Sequence, residues 1–264
     1  TGYYNESGNW NNSVLYLDNH LIKANSSLTD SYTIKSGTVT ISPFAFKDCT
    51  KLTNIIVPAT TISIGDSAFN GCVSLESITL PFVGDGTSEN TNFGYIFGDY
   101  FGASNNYVPS TLESVVILND CDIEEYAFYD CKSLVSITLP TNVSYIADSA
   151  FKGCTNLTDI AIPEGLKSIG AWSFSDCTSL TNITIPKSID KIDEYAFYKC
   201  TALEKVHISD LSKWCLIDFQ DNHSNPLSYG AKLYLNDILV TDLIIPNNIT
   251  EINSYTFQCC MSLK

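Results

Sequence analysis

The sequence predicts a solenoid of stacked coils, and three spacings predict it. Phe151, Phe174 and Phe197 are equally spaced. Cys154, Cys177 and Cys200 keep the same interval, and so do Leu157, Leu180 and Leu203. A fixed period in the twenties marks a chain built from one small unit that cannot bury its apolar face alone. The register runs back through Phe128, Cys131, Leu134 and Pro140, then Phe69, Cys72, Leu75 and Pro81, then Phe46, Cys49, Leu52 and Pro58. Phe257, Cys260 and Leu263 open another copy.

Each part of the unit has a physical reason. In L-x-x-I-x-I-P two isoleucines alternate with an exposed residue, the pattern of a strand with one buried face. Proline ends the strand because it has no N–H to give a ladder. A second apolar pair, which includes Ile146 or Ile169, belongs to the other side of the coil. The phrase D/S-x-A-F-x-x-C follows, where Asp or Ser caps one helical turn and drops Phe into the core. Stacking turns these positions into continuous columns.

The full pattern L-x-x-I-x-I-P-x-x-V-x-x-I-x-x-x-A-F-x-x-C resembles the BspA-like class of leucine-rich repeats, found on surface proteins of host-associated microbes. The resemblance covers almost the whole chain. It implies a right-handed leucine-rich repeat solenoid with a parallel β-sheet on the concave face and short helical turns and short strands elsewhere. It also implies a non-catalytic adhesion role, outside the cell or on its surface. Partners would be proteins of the host extracellular matrix or of other cell surfaces.

Composition agrees with one elongated core. The chain has 264 residues, 44% hydrophobic, which suits a single repeat domain over 1–264. The formal charge is −15, and all 14 basic residues are Lys. Without Arg forks, nucleic acid is not an expected partner. No run of about 18 apolar residues exists, so no membrane insertion is expected. The chain does not begin with Met, and it stops at C-C-M-S-L-K, where the next strand should follow. The expectation is a processed or engineered start, and a natural protein that continues past residue 264 into a stalk or wall anchor.

Ten cysteines in a secreted chain would ordinarily suggest disulfides. Here Cys49, Cys72, Cys131, Cys154, Cys177, Cys200 and Cys260 fall at one position of the coil. Stacked side chains point the same way, whereas a disulfide needs side chains that face each other. They are expected as buried thiols beside the Leu column. A soft-metal column lacks C-x-x-C or Cys/His pairing, so no metal or cofactor is expected. Cys121 is expected in the core; Cys215 and Cys259 stand outside the ladder, with a core place the preferred reading for each and a reactive thiol the alternative.

In chain order, residues 1–12 are a polar lead-in that Trp10 could pin. Residues 14–35 are the N-terminal cap: V-L-Y-L, a tight turn at Asp18-Asn19-His20, and Leu21-Ile22 form a hairpin, and Thr29 to Lys35 a degenerate first coil. Two coils are long. The steps from Leu75 to Leu112 and from Leu203 to Val240 exceed the regular interval by equal amounts, giving insertions at 82–111 and 209–239. The first, rich in Gly, Asn, Phe and Tyr, is expected to pack its aromatics back on the solenoid, with a ligand-contacting role as the alternative. The second contains L-Y-L-N-D-I-L-V, a further hairpin. Strands ending at 35, 58, 81, 118, 140, 163, 186, 208 and 246 number nine.

No catalytic constellation emerges. His20, His207 and His223 have no ligand-spaced partners, and no nucleophile elbow, P-loop or dinucleotide fingerprint is present. Asp120, Asp122, Glu124 and Glu125 read as a solvated turn. What remains is a surface of outward strand positions: Asn54, Ile56, Ser77, Thr79, Ser136, Thr138, Asp159, Ala161, Asn182, Thr184, Lys205 and His207, with Asp242 and Ile244 beyond. They are small and polar, without the Trp, Tyr and Arg that anchor most interfaces. Two readings stand open: a broad docking sheet, or a spacer that displays another domain.

Overall fold

A short strand with one apolar face needs a neighbour on each side and a floor beneath it. The computed structural model supplies both by repetition. It describes residues 9–86, 91–99, 105–247 and 249–263, in two compact units, Thr1–Asn119 and Asp120–Lys264.

The first unit starts with β1 (Trp10–Asn11), β2 (Val14–Leu17), β3 (His20–Ala24) and β4 (Thr29–Thr33), followed by β5 (Thr40–Ile41), β6 (Lys51–Ile56), β7 (Ser63–Ile64), β8 (Ser77–Leu80) and β9 (Ser114–Ile117). The expected hairpin forms between β2 and β3, with Leu17 opposite His20 and only Asp18 and Asn19 between them. Asp18 takes φ +53° there, a conformation that short polar side chains tolerate. Strand β1 adds to β2, so Trp10 does tie the lead-in down; residues 1–8 lie outside the described residues. Strands β3, β5 and β7 form one parallel ladder. Strands β4, β6, β8 and β9 form the other, longer one. Tyr32 pairs with Ile55, the regular interval of the later coils, so the degenerate coil keeps register.

The insertion at 82–111 packs inward, as expected. Asn92 accepts the N–H of Gly94 and starts a 3-10 turn, Phe93–Phe97, which Gly98 ends at φ +113°. Phe93, Ile96 and Phe97 are buried. Phe97 lies 6.1 Å from Phe69, and Ile96 O accepts the Phe69 N–H at 2.8 Å. The inserted turn therefore supplies the floor that the regular coil would have given. Residues 87–90 and 100–104 of this insertion, with their share of the ligand-contacting alternative, lie outside the described residues.

The second unit holds β10 (Ser136–Thr138), β11 (Tyr145–Ile146), β12 (Asp159–Ile160), β13 (Ser168–Ile169), β14 (Asn182–Thr184), β15 (Lys191–Ile192) and β16 (Lys205–Ile208). Helix α1 (Leu211–Cys215), β17 (Asp218–Phe219), β18 (Lys232–Leu235) and β19 (Ile238–Leu239) complete it. Strands β11, β13, β15 and β17 pair in parallel along one side. On the other, β10 pairs with β12, β14 with β16, and β16 with β18. Between them Phe128, Phe151, Phe174 and Phe197 line up. Ring centroids are 5.3, 5.3 and 5.4 Å apart, with planes within 8° of parallel. All four rings are wholly buried, and each such side chain contributes on the order of 1.5–3 kcal/mol by leaving water.

The count of nine long-ladder strands holds among the described residues, but the ninth differs. Residues 240–247 form no strand, and Ile244 is 82% exposed. The first strand of the expected hairpin takes the place instead: Val206 pairs with Leu233, across one lengthened coil. Ala231 and Leu233 are fully buried, so L-Y-L seals the last coil better than D-L-I-I-P, and β19 folds back on it antiparallel. Asp242 and Ile244 are thus not strand positions. Cys121 is half-buried rather than core, because the place one repeat before Val143 falls to Asp120.

The cysteines form no disulfide and most are buried, but Cys260 is only half-buried and Cys259 is exposed rather than in the core, because no further coil covers them among the described residues. Four ladder Sγ atoms turn to the backbone of the coil before them: Cys72 to Phe46 O, Cys154 to Phe128 O, Cys177 to Phe151 O and Cys200 to Phe174 O, at 3.1–3.2 Å. That donation answers a carbonyl lone pair inside the core. Burial pushes the Cys49 thiol up to about 11 and those of Cys72 and Cys200 up to about 12. The folded chain keeps these protons after the unfolded chain has lost them, so folding stability is intact below the unfolded thiol range and falls as pH rises from about 9 through 12. Titration with a thiol reagent at neutral pH should label Cys259, which is exposed, at once, and the buried Cys72, Cys154, Cys177 and Cys200 only on unfolding. Rapid labelling of Cys154 or Cys177 in the native chain would contradict the ladder.

Candidate functional site

Strand alternation decides which side chains reach solvent, because successive residues point to opposite faces. In the first unit Ser31, Asn54, Ser77 and Ser114 form one row across β4, β6, β8 and β9, and Thr33, Ile56, Thr79 and Val116 the next. Asn54, Ile56, Ser77 and Thr79 are half-buried. All four expected positions therefore share one outward face.

In the second unit Ser136 stands beside Asp159. Asn182, Lys205 and Lys232 form one row, and Thr184, His207 and Tyr234 another. Ser136, Thr138, Asp159, Ala161, Thr184 and Lys205 are exposed, Asn182 and His207 half-buried. Asn182 Nδ2 donates to Thr181 Oγ1 at 2.9 Å. His207 lies flat on Tyr234 at 5.0 Å and 15°, with Nδ1 2.9 Å from Asp237 Oδ1. It is thus tethered to the β18–β19 turn rather than freely solvated. Lys232 and Tyr234 belong to this face although the sequence assigned them to an insertion; the strand-like L-Y-L was the available signal.

A second feature was not seen in the sequence. Each regular coil takes a left-handed residue two places before its core Phe: Phe44, Ser67, Tyr126, Ser149, Trp172, Tyr195 and Tyr255 have φ between +53° and +65°. That conformation turns the N–H of Trp172 to Glu194 O, 3.0 Å away in the next coil. Aromatic residues at this place stand on the turn face. The signal was there at the repeat interval, but outside the apolar columns that reveal the core.

Nothing in the described residues groups three or more His, Cys, Asp or Glu as a metal site, and no helix among them is long and apolar enough to cross a membrane. Asp122 is bound into the stack, accepting the N–H of Ser144 at 2.7 Å.

Residues 17–116 and 121–264 match the family model described as BspA type leucine rich repeat region, in six copies. No curated protein matches the chain. Among solved structures, a leucine rich cell surface protein from Faecalibacterium prausnitzii shares 19% identity over 97% of this chain and 93% of its own, with a TM-score of 0.41. A T. pallidum leucine rich repeat protein shares 21% over 72% and 76%, with a TM-score of 0.40. A leucine-rich repeat protein from Bacteroides ovatus shares 22% over 93% and 76%, with a TM-score of 0.38.

Because Thr138 and Thr184 face solvent, Thr138→Glu and Thr184→Glu should each change unfolding free energy by no more than about 0.5 kcal/mol in urea titration. A loss of several times that from either would mean the side chain is part of the packing.

Proposed function

Since this chain belongs to the BspA-type leucine-rich repeat family, we propose that it is a non-catalytic protein-binding module of a secreted or cell-surface protein, and that adhesion to host matrix or to other cells is its work. Leucine-rich repeats commonly mediate protein interaction. The observation that carries the reading is the outward face of the long ladders. Its rows run in register, and in the second unit most of their side chains are exposed. A parallel sheet gives such a face little freedom to collapse on itself, so a partner meets it preorganised. Residues 1–264 act in this reading as one repeat domain.

The spacer reading keeps one argument. The face holds Ser, Thr, Asn and Lys, with His207 and Tyr234 its few rings, and binding energy concentrates in a few large anchors. A spacer would need no anchor at all.

Surface plasmon resonance against immobilised extracellular-matrix proteins separates the two. The variant Thr138→Glu, Thr184→Glu and Lys205→Glu should weaken capture by about tenfold or more, roughly 1.4 kcal/mol or greater, with unfolding unchanged. Binding by neither protein to any matrix component would favour the spacer.

A further inference from the structure

The sheet face of the second unit ends in a pair of like charges. Parallel pairing of β16 with β18 sets Lys205 directly beside Lys232, and both side chains are exposed. Adjacent strands lie about 4.8 Å apart, and like charges so placed repel one another. The short ladder is built differently, for there Lys191 stands beside Asp218. Neither Lys205 nor Lys232 forms an ion pair among the described residues. The exposed acids on the neighbouring segments, Glu204, Asp237 and Asp242, pair with neither of them.

The residues around the pair leave its charge unanswered. Asn182 continues the lysine row and Thr184 the row of His207 and Tyr234; neither carries a charge. Asp237 is engaged by His207 Nδ1 at 2.9 Å, and His207 is held flat on Tyr234. Asp159, the remaining acid of this face, belongs to the coil before β14, whose Thr158 O accepts the Thr181 N–H. That places it two coils from Lys205, roughly 10 Å by the usual strand spacing and about a Debye length at physiological salt. Two ammonium groups and the Tyr234 hydroxyl therefore share one corner of the face.

The chemistry narrows the partner. An ammonium group has three donors and no acceptor, so the corner calls for an acceptor with negative charge. Neighbouring lysines can close on one carboxylate, each giving an N–H to one of its oxygens, and such charge-assisted bonds are the strong ones. The small side chains of Asn182 and Thr184 leave an extended chain room to lie across the strands. Elsewhere the net charge of −15 repels acids, which confines them to this corner. We propose that Lys205, Lys232 and Tyr234 receive an Asp- or Glu-bearing segment of a partner protein. The proposal rests on the reading of the sheet face as a docking surface and names the chemistry it takes.

Fluorescence anisotropy tests it with a labelled peptide of alternating Glu and Ser at ~0.15 M salt, where long-range repulsion is screened. Peptides of Gln and Ser and of Arg and Ser, and a sulfated oligosaccharide, are the other probes. Lys205→Gln with Lys232→Gln removes the pair. Lys132→Gln with Lys167→Gln changes the net charge equally, at exposed lysines that already face Asp130 and Asp190. The Glu peptide should bind tightest of the four probes. The first variant should bind it about fivefold more weakly, as two exposed ion pairs allow, with its urea midpoint no lower than the parent's. The second should bind it as the parent does. No binding of the Glu peptide, tighter binding of any other probe, or an equal loss in both variants overturns the proposal. If the first variant fails to fold, Lys232→Gln alone decides by the same comparison. Matrix proteins captured through the sheet face without binding of the Glu peptide would overturn the acid preference and leave the docking reading standing; capture of neither would overturn both.

Discussion

An apolar side chain turned inward by one coil can be sealed only by the next coil. Phe174 lies between Phe151 and Phe197, with rings about parallel to both; its own coil offers no ring to meet it. The backbone repeats the dependence, since the N–H of Phe151 bonds to Ser173 O and that of Phe174 to Ala196 O. Side-chain burial and backbone satisfaction thus rely on the same neighbour. Stability in such a stack approximates a sum of weak coils and strong interfaces between them.

The other features of the coil follow from that constraint. The space beside the Phe is small and faces a carbonyl, so it suits Cys, a compact side chain with a weak donor. The residue before each ladder Cys is left-handed, and the chain places Asp130, Gly153, Asp176 and Lys199 there. Its N–H also reaches the next coil, as from Asp130 to Lys152 O at 2.7 Å. Insertions are admitted wherever they return the chain to the stack. Asn92 and Asn225 each cap a 3-10 turn that ends in a left-handed glycine, and both turns deliver buried residues to the core.

The columns were legible because burial selects the same residue types at the same interval: Phe, Cys, Leu and the alternating Ile announce themselves. The hairpin at Asp18 was legible from its polar turn between apolar pairs. The last strand was not. K-L-Y-L and D-L-I-I-P alternate alike, and only the pairing partner, β16, distinguishes them. Periodicity also concealed Lys232 and Tyr234, which an insertion should not have placed beside Lys205 and His207. The aromatic residues of the turn face escaped for a different reason. Trp172 and Tyr195 obey a backbone rule, the left-handed turn position, and hydrophobic patterning carries no trace of that rule. The sheet face was readable in position but not in purpose, because small polar residues suit both a wet strand and a contact.

Amide hydrogen exchange tests the central claim most directly. The N–H groups of Phe128, Phe151 and Phe174 bond across coils at 2.7–2.9 Å and lie in the sealed column. The account predicts that they exchange together, among the slowest in the chain, because opening any one separates two coils. Exchange of Phe174 as fast as that of an exposed turn amide, with Phe151 still protected, would mean that the coils do not seal one another.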